Sequence, residues 1–324
     1  MKTLTMLAFC SLALVLAGLP VLHAQCTVEK DCILGRTFDL GAGRSAEVQY
    51  FVMTSKLINY ALDGTRLGTD TMRIHLKCVP AGVSGRQADQ YTCAKFTIEF
   101  AGSPEVEVPA LRNWTYDFGP LMTGIDEKGQ VFGIDHAKFE NLVDANGKPI
   151  SPDKSYHVYN AFIDFHGFCN AFACPMPGEG KGIEDLKRIG DRIVHAAAFS
   201  EPPVNLGSNV GEGSTFKNGE VTLALKGLSA VDGRACAIVA YDSGASSFQM
   251  KMKPMPNMEI QSVGSSHYQG DLYVDLATRW VRKATMYELV VTETRLPMPP
   301  DKINSVIERD IVIRNVTEQE FQAR

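Results

Sequence analysis

The chain has 324 residues, 45% of them hydrophobic, 21% charged and 9% aromatic. That is enough apolar matter to offset chain entropy, which excludes a collagen-like, coiled-coil or wholly disordered protein. The formal net charge is −5 with no concentrated basic stretch, so the electrostatic footprint of a nucleic-acid binder is missing.

Residues 1–24 read as a secretory signal peptide. Lys2 is the only charge ahead of an apolar run, Met6 to Leu19, which Pro20 interrupts and Ala24 follows as a small residue for cleavage before Gln25. The run is too short for a comfortable membrane span, and Cys26 follows Gln25 rather than a small residue, which argues against a lipid anchor. No later stretch is apolar enough to cross a bilayer. The expectation is a soluble secreted or periplasmic protein whose residues 25–324 make one domain. Within it, 25–150 is a β-rich half, 151–200 a helical segment and 220–324 a C-terminal β meander.

Export decides how the cysteines are read. Seven follow the leader, and in an oxidising compartment the close pairs Cys26–Cys32, Cys78–Cys93 and Cys169–Cys174 are expected as disulfides. Cys236, in the apolar run Ala235 to Val239, is expected as a packed thiol.

In chain order, Glu47 to Leu62 is a strand ending at the turn Asp63-Gly64. Met72 to Val79 and Tyr91 to Phe100 flank a polar loop and read as a hairpin. Two signals conflict there. Pairing Cys78 with Cys93 sets Leu76 against Lys95, whereas pairing the apolar residues sets Leu76 against Phe96 and Ile74 against Ile98. Because side chains alternate, both hold only if a bulge intervenes. Ser151-Pro152-Asp153 is a helix start, with a capping hydroxyl, proline in the first turn and an early acid. Dense aromatics follow: Tyr156, Tyr159, Phe162, Phe165, Phe168 and Phe172. A second helix is expected from Ile183, Leu186, Ile189, Ile193, Val194 and Ala197, which share one helical face. From Glu220 onward the strand candidates are 221–225, 234–241, 248–253, 271–276, 280–294 and 306–316, with turns at 231–234 and 275–278. The fold class is α+β: a large, curved antiparallel β-sheet with two central helices packed against it.

The stretch Gly270-Asp-Leu-Tyr-Val-Asp275-Leu-Ala-Thr278-Arg-Trp-Val-Arg-Lys283 resembles the strand–turn–strand of curved-sheet proteins of the bacterial envelope. It is similar to families related to lipoprotein carriers and to other secreted β-rich families. The resemblance covers residues 150–316 in outline. It implies a bent sheet closed by helices, with an acyl chain bound between them.

Catalytic signatures are sparse. There is no Gly-x-Ser-x-Gly, no His-Glu-x-x-His, no phosphate loop and no dinucleotide fingerprint. The densest polar cluster is His157, Asp164, His166, Cys169 and Cys174. His157 and Asp164 are seven apart, on one helical face, and fit an acid–base pair. His166, Cys169 and Cys174 are competent metal ligands, although a Cys169–Cys174 disulfide would remove both thiolates. His267 lies beside Ser265 and Ser266 without an identifiable orienting acid. Met250, Met252, Met255 and Met258 suit strand packing by flexible thioethers. Asn113 and Asn315 head glycosylation sequons.

Two functions follow. The first is a non-catalytic exported protein that needs no cofactor. It would bind a lipid, another apolar small molecule or an envelope protein partner in a cleft lined by Tyr156, Tyr159, Phe162, Phe165, Phe168 and Phe172. The alternative is a secreted hydrolase or metal-dependent enzyme built on His157, Asp164 and His166.

Overall fold

The computed structural model describes residues 33–84, 88–118, 133–176, 179–201, 212–255 and 258–323. The expected signal peptide and the Cys26–Cys32 pair lie outside the described residues.

The fold is dominated by one antiparallel sheet. Its strands are β1 (Gln49–Tyr60), β2 (Arg66–Val79), β3 (Asp89–Glu99), β4 (Val106–Glu107), β5 (Trp114–Phe118), β6 (Arg192–Val194) and β7 (Thr215–Lys217). They continue with β8 (Thr222–Val231), β9 (Arg234–Asp242), β10 (Ser246–Met255), β11 (Met258–Asp275), β12 (Val281–Arg295) and β13 (Lys302–Val316). The order across the sheet is β4-β3-β2-β1-β13-β12-β11-β9-β8-β6, with β5 beside β3 and β7-β10 beside β11. Strand β13 joins the two halves by pairing β1 along its length, Tyr50 opposite Val316 and Tyr60 opposite Val306. Among the described residues the ends of this order do not pair, so the sheet is open. Among the described residues three α-helices accompany it: α1 (Ala81–Ser84), α2 (Pro152–His166), which runs on through a π turn at Gly167–Ala171, and the short α3 (Glu318–Gln322).

Strand burial alternates as a half-covered sheet requires. In β13, Arg309, Ile311 and Ile313 are buried while Asp310 is exposed. The covered face carries Phe51, Met53, Ile74, Leu76, Phe96, Leu223, Val239, Leu272 and Ile311, and α2 lies on it with Phe162 and Phe165 fully buried. Fully burying one such side chain is worth about 1.5–3 kcal/mol. Two charged contacts add to that apolar seal. Lys154 pairs with the buried Asp70 of β2 and lies 4.4 Å over the Phe100 ring, and Asp164 pairs with Arg309 of β13.

The helix starts at Ser151-Pro152 as expected, with proline in its first turn, but the Ser151 hydroxyl makes no capping hydrogen bond. The second expected helix does not form. Residues 183–185 make a single 3-10 turn, and Arg192–Val194 is the edge strand β6. Its apolar periodicity is broken at Gly190, whose φ is +98°, and the Asp191 carboxylate accepts from the backbone N–H groups of Lys187 and Arg188 to fix a turn there. The structure is therefore a mainly β fold with one long central helix.

The β2–β3 register also differs from both expectations. Ile74 faces Phe96, His75 faces Lys95, and then Leu76 faces Cys93, leaving Ala94 as the extra residue of a bulge. That bulge keeps Ile74, Phe96, Leu76 and Cys93 all buried. Cys78 faces Tyr91 and is only a diagonal neighbour of Cys93.

Candidate functional site

His166 sits at the end of α2, where the helix meets β3 and β5. Asn170 Oδ1 can only accept, so Nδ1–H of His166 donates to it over 3.0 Å, and Nε2 accepts from the Tyr116 hydroxyl over 2.8 Å. Phe118 stacks on the imidazole at 3.9 Å between ring centres, and Tyr91 meets it edge-on at 4.7 Å. Burial drives its pKa down to about 3, only partly opposed by the Asn170 hydrogen bond. His166 is a neutral, doubly satisfied core group. Both ring nitrogens, on which its metal-ligand and catalytic readings depend, are engaged in hydrogen bonds.

Asp164 points elsewhere. Its carboxylate accepts from Nη2 of Arg309, whose Nη1 donates to Glu288 over 2.5 Å. Glu288 and Arg309 face each other across β12 and β13, and all three groups are largely buried. Burial raises the Asp164 carboxyl to about 6, against the pull of Arg309 and with a further push from Glu288. His157 is half-buried beside Tyr156, with ring centres 5.7 Å apart. Asp164 and His166, expected in one catalytic cluster, thus engage separate partners.

Cys169 and Cys174 are buried free thiols, as are Cys78, Cys93 and Cys236. The buried Arg44 guanidinium donates to the Cys169 carbonyl, lies 4.3 Å over Trp280 and is 3.7 Å from Asp89. Burial holds the Cys169 and Cys174 thiols in the protonated form despite that cation. Among the described residues no group of three His, Cys, Asp or Glu side chains stands where it could hold a metal ion.

The aromatic residues expected to line an apolar cleft are core instead. Phe162, Phe165, Phe168 and Phe172 are buried, as is Tyr159. Phe162 stacks on Phe96 at 5.7 Å, Phe165 packs edge-on to Phe51 at 5.2 Å, and Phe168 stacks on Tyr241 at 4.9 Å. Tyr156 is half-buried near the Arg309 cluster, its hydroxyl raised to about 12 chiefly by burial. Of the two sequons, Asn113 is exposed, whereas Asn315 is buried, with its amide nitrogen donating to Gln49 and its oxygen accepting from Arg282.

A cavity lies on the other face of the sheet. A groove of about 580 Å³ crosses β6, β8, β9, β11, β12 and β13. Its wall is one register row, Thr222–Asp242–Gln269–Tyr287–Asp310, in which each residue faces the next across a strand pair. Its floor is the neighbouring row, Ala224–Ala240–Asp271–Thr285, reached at the sheet edge by Arg192. Side chains opposite each other in an antiparallel pair share a face, so short floor residues beside longer wall residues leave a trough. Lys226 is the extra residue of a bulge between Leu225 and Gly227, and it reaches over to Asp271 at 3.1 Å. At one end His267 bonds Asp242 at 2.9 Å, supplying the acid partner that the Ser265-Ser266-His267 stretch lacks in the sequence. Partial burial pushes Asp242 up, but the Gly244 backbone N–H and His267 hold it below the usual carboxylate range.

Sequence reasoning missed this groove because exposed polar residues alternating along strands are what every half-covered sheet shows. The Arg309–Glu288 pair did leave a signal. Arg309 shares its alternation phase with Ile311 and Ile313, so a charge stands where the pattern demands an apolar residue.

No protein-family model matches the chain, and no curated protein matches it. Among solved structures, the anion-selective porin from Comamonas acidovorans aligns over 83% of this chain and 99% of its own, at 11% identity and a TM-score of 0.19. Overlap at that level carries no argument about fold or function. Among the described residues, no helix is long and apolar enough to cross a membrane.

Proposed function

We propose that the chain is an exported, non-catalytic binding protein that holds its ligand in the groove on the open face of the sheet. The apolar leader at Met6 to Leu19 supports export, and the groove itself carries the binding reading. Its volume falls within the range of small-molecule sites. The ligand is polar rather than lipidic, because an acyl chain laid there would strip water from Asp242, Asp271 and Asp310 without replacing their hydrogen bonds. The covered face has its aromatic residues packed against one another as core.

The test is native mass spectrometry of protein purified from its own host, comparing wild type with Ala240→Trp. Ala240 lies in the groove floor, and an indole there would fill the trough. Wild type is expected to carry a non-covalent adduct that the variant loses at unchanged thermal stability. Identical adduct patterns in the two proteins would overturn the assignment of the groove.

A further inference from the structure

We infer that the ligand of this groove is a neutral oligosaccharide, an inference that rests on the groove being the binding site. Strands of a sheet stand about 4.8 Å apart, so the wall row from Thr222 on β8 to Asp310 on β13 spans roughly 19 Å. That pitch is comparable to the rise of one pyranose along an extended chain, and the span suits a short oligosaccharide.

The chemistry along the row fits the same occupant. A sugar presents hydroxyls that both donate and accept, and an apolar C–H face to each ring. Planar groups with two hydrogen-bonding atoms recognise the first, and an exposed aromatic ring recognises the second. Gln269 is an exposed amide and Asp310 an exposed carboxylate, and neither makes a side-chain hydrogen bond to another described residue. Between them stands Tyr287, 44% exposed, which makes it the row's aromatic platform. Its ring is fixed in orientation because its hydroxyl donates to Glu308 over 3.1 Å, and Glu308 also accepts from Tyr60 over 3.0 Å. A ring already held in place loses little freedom when a ligand stacks on it.

Charge excludes the competing occupants. The groove holds Arg192 and Lys226 against Asp242, Asp271 and Asp310, a formal sum of 2 − 3 = −1. Lys226 is occupied by Asp271, and His267 stands by Asp242. A polyanion meets net repulsion there, and a lipid tail meets hydrated carboxylates. A neutral polyhydroxyl chain can exchange its water for these groups without leaving a charge unpaired.

The experiment is isothermal titration calorimetry of the full chain against neutral tetrasaccharides derived from glucan, chitin, mannan, xylan and galactan, with a tetragalacturonate as the anionic control. One neutral tetrasaccharide is expected to bind, tetragalacturonate is not, and Tyr287→Ala and Gln269→Ala are each expected to weaken binding at least tenfold. Thermal melts of both variants should match wild type, since both side chains are exposed. If none of the neutral tetrasaccharides binds, or if binding survives both substitutions, the inference is overturned. An adduct lost in Ala240→Trp whose mass is not built of sugar increments would also overturn it, while leaving the groove as the binding site.

Discussion

Arg309 of β13 donates to Asp164 of α2, and this contact, 145 residues apart in sequence, fixes the central helix to the sheet. With Glu288 on the neighbouring strand it makes a buried arrangement of one cation and two carboxylates. Such groups hold each other in place, but the cost of removing them from water offsets most of their attraction. Removing one partner is therefore much worse than removing all three. Arg309→Met is expected to cost about 3–5 kcal/mol, because two buried carboxylates lose their cation. The triple variant Asp164→Leu, Glu288→Leu, Arg309→Met is expected to recover most of that loss. Urea unfolding of both variants at pH 7 measures the difference, and a triple variant no more stable than the single one would refute this account.

The same carboxyl carries a pH signature. Asp164 titrates at about 6 in the folded protein against 3.8 for the ordinary group, so the folded state binds its proton more tightly. Its contribution is fully present below pH 3.8 and is lost as pH rises through about 6. Asp164→Asn, which keeps an acceptor for Arg309, should remove that slope. The stability gap, wild type minus variant, is expected to shrink as pH rises from 4 to 6. A gap that stays flat across this window would place the Asp164 pKa near its ordinary value.

His166 works in the opposite direction. Its folded pKa of about 3 lies below the ordinary 6.5, so protonation in the unfolded chain pulls the protein toward unfolding as pH falls. Its contribution is complete above pH 6.5 and is lost progressively toward about pH 3, amounting to several kcal/mol. His166→Phe is expected to be about 1–3 kcal/mol less stable at pH 7, because Tyr116 and Asn170 lose their shared partner in the core. It should also show a shallower loss of stability in acid than wild type. Parallel acid-unfolding curves for the two proteins would show that His166 titrates normally.

Much of this architecture could be read ahead of the structure, and the exceptions have physical causes. Ser151-Pro152 announced α2, and the Asp232-Gly233 turn, with φ of +50° and +75°, announced the β8–β9 hairpin. Strand β11 was legible only in its last third. Its first part carries Gly264, Ser265, Ser266, His267 and Gly270, residues that form a strand here because β12 pairs with it along one side and β10, then β9, along the other. The 183–197 helix failed because periodicity alone does not register a glycine held at positive φ. The densest polar segment was found, but what its residues bind was not, since Arg309, Tyr116 and Arg44 are brought to it by tertiary pairing alone.

Diagonal neighbours across an antiparallel pair have Cα atoms roughly 7–8 Å apart, beyond the usual reach of a disulfide. Cys78 and Cys93 stand in that relation, so they are expected to remain thiols even in exported protein. Alkylation of wild type in denaturant without reductant, followed by peptide mapping, should label both. A recovered Cys78–Cys93 cross-linked peptide would show that the Ala94 bulge is misplaced and that the strands pair in another register.

Gly270 is where the covered face of the sheet depends on one missing side chain. A Cβ at this position would come within 1.8 Å of the Thr285 carbonyl oxygen and 2.6 Å of the Tyr241 hydroxyl. Tyr241 lies over this gap, donates to the Thr285 carbonyl over 2.7 Å and stacks on Phe168 and Phe172, so α2 and its π turn rest on the space that Gly270 leaves. The first clash is with backbone of β12, which cannot rotate away, so the added methyl must push β11 and β12 apart. Overpacking of this kind costs about 1–3 kcal/mol or more. Gly270→Ala is therefore expected to lower the thermal midpoint by several degrees. Gly233 offers the control on spacing, since a Cβ there meets nothing within 4 Å and only its φ of +75° resists substitution. Adding Tyr241→Phe to Gly270→Ala frees the second contact but not the first, so it should restore little. If the double variant melts at the wild-type temperature, the hydroxyl, not the β12 carbonyl, is what requires glycine at 270.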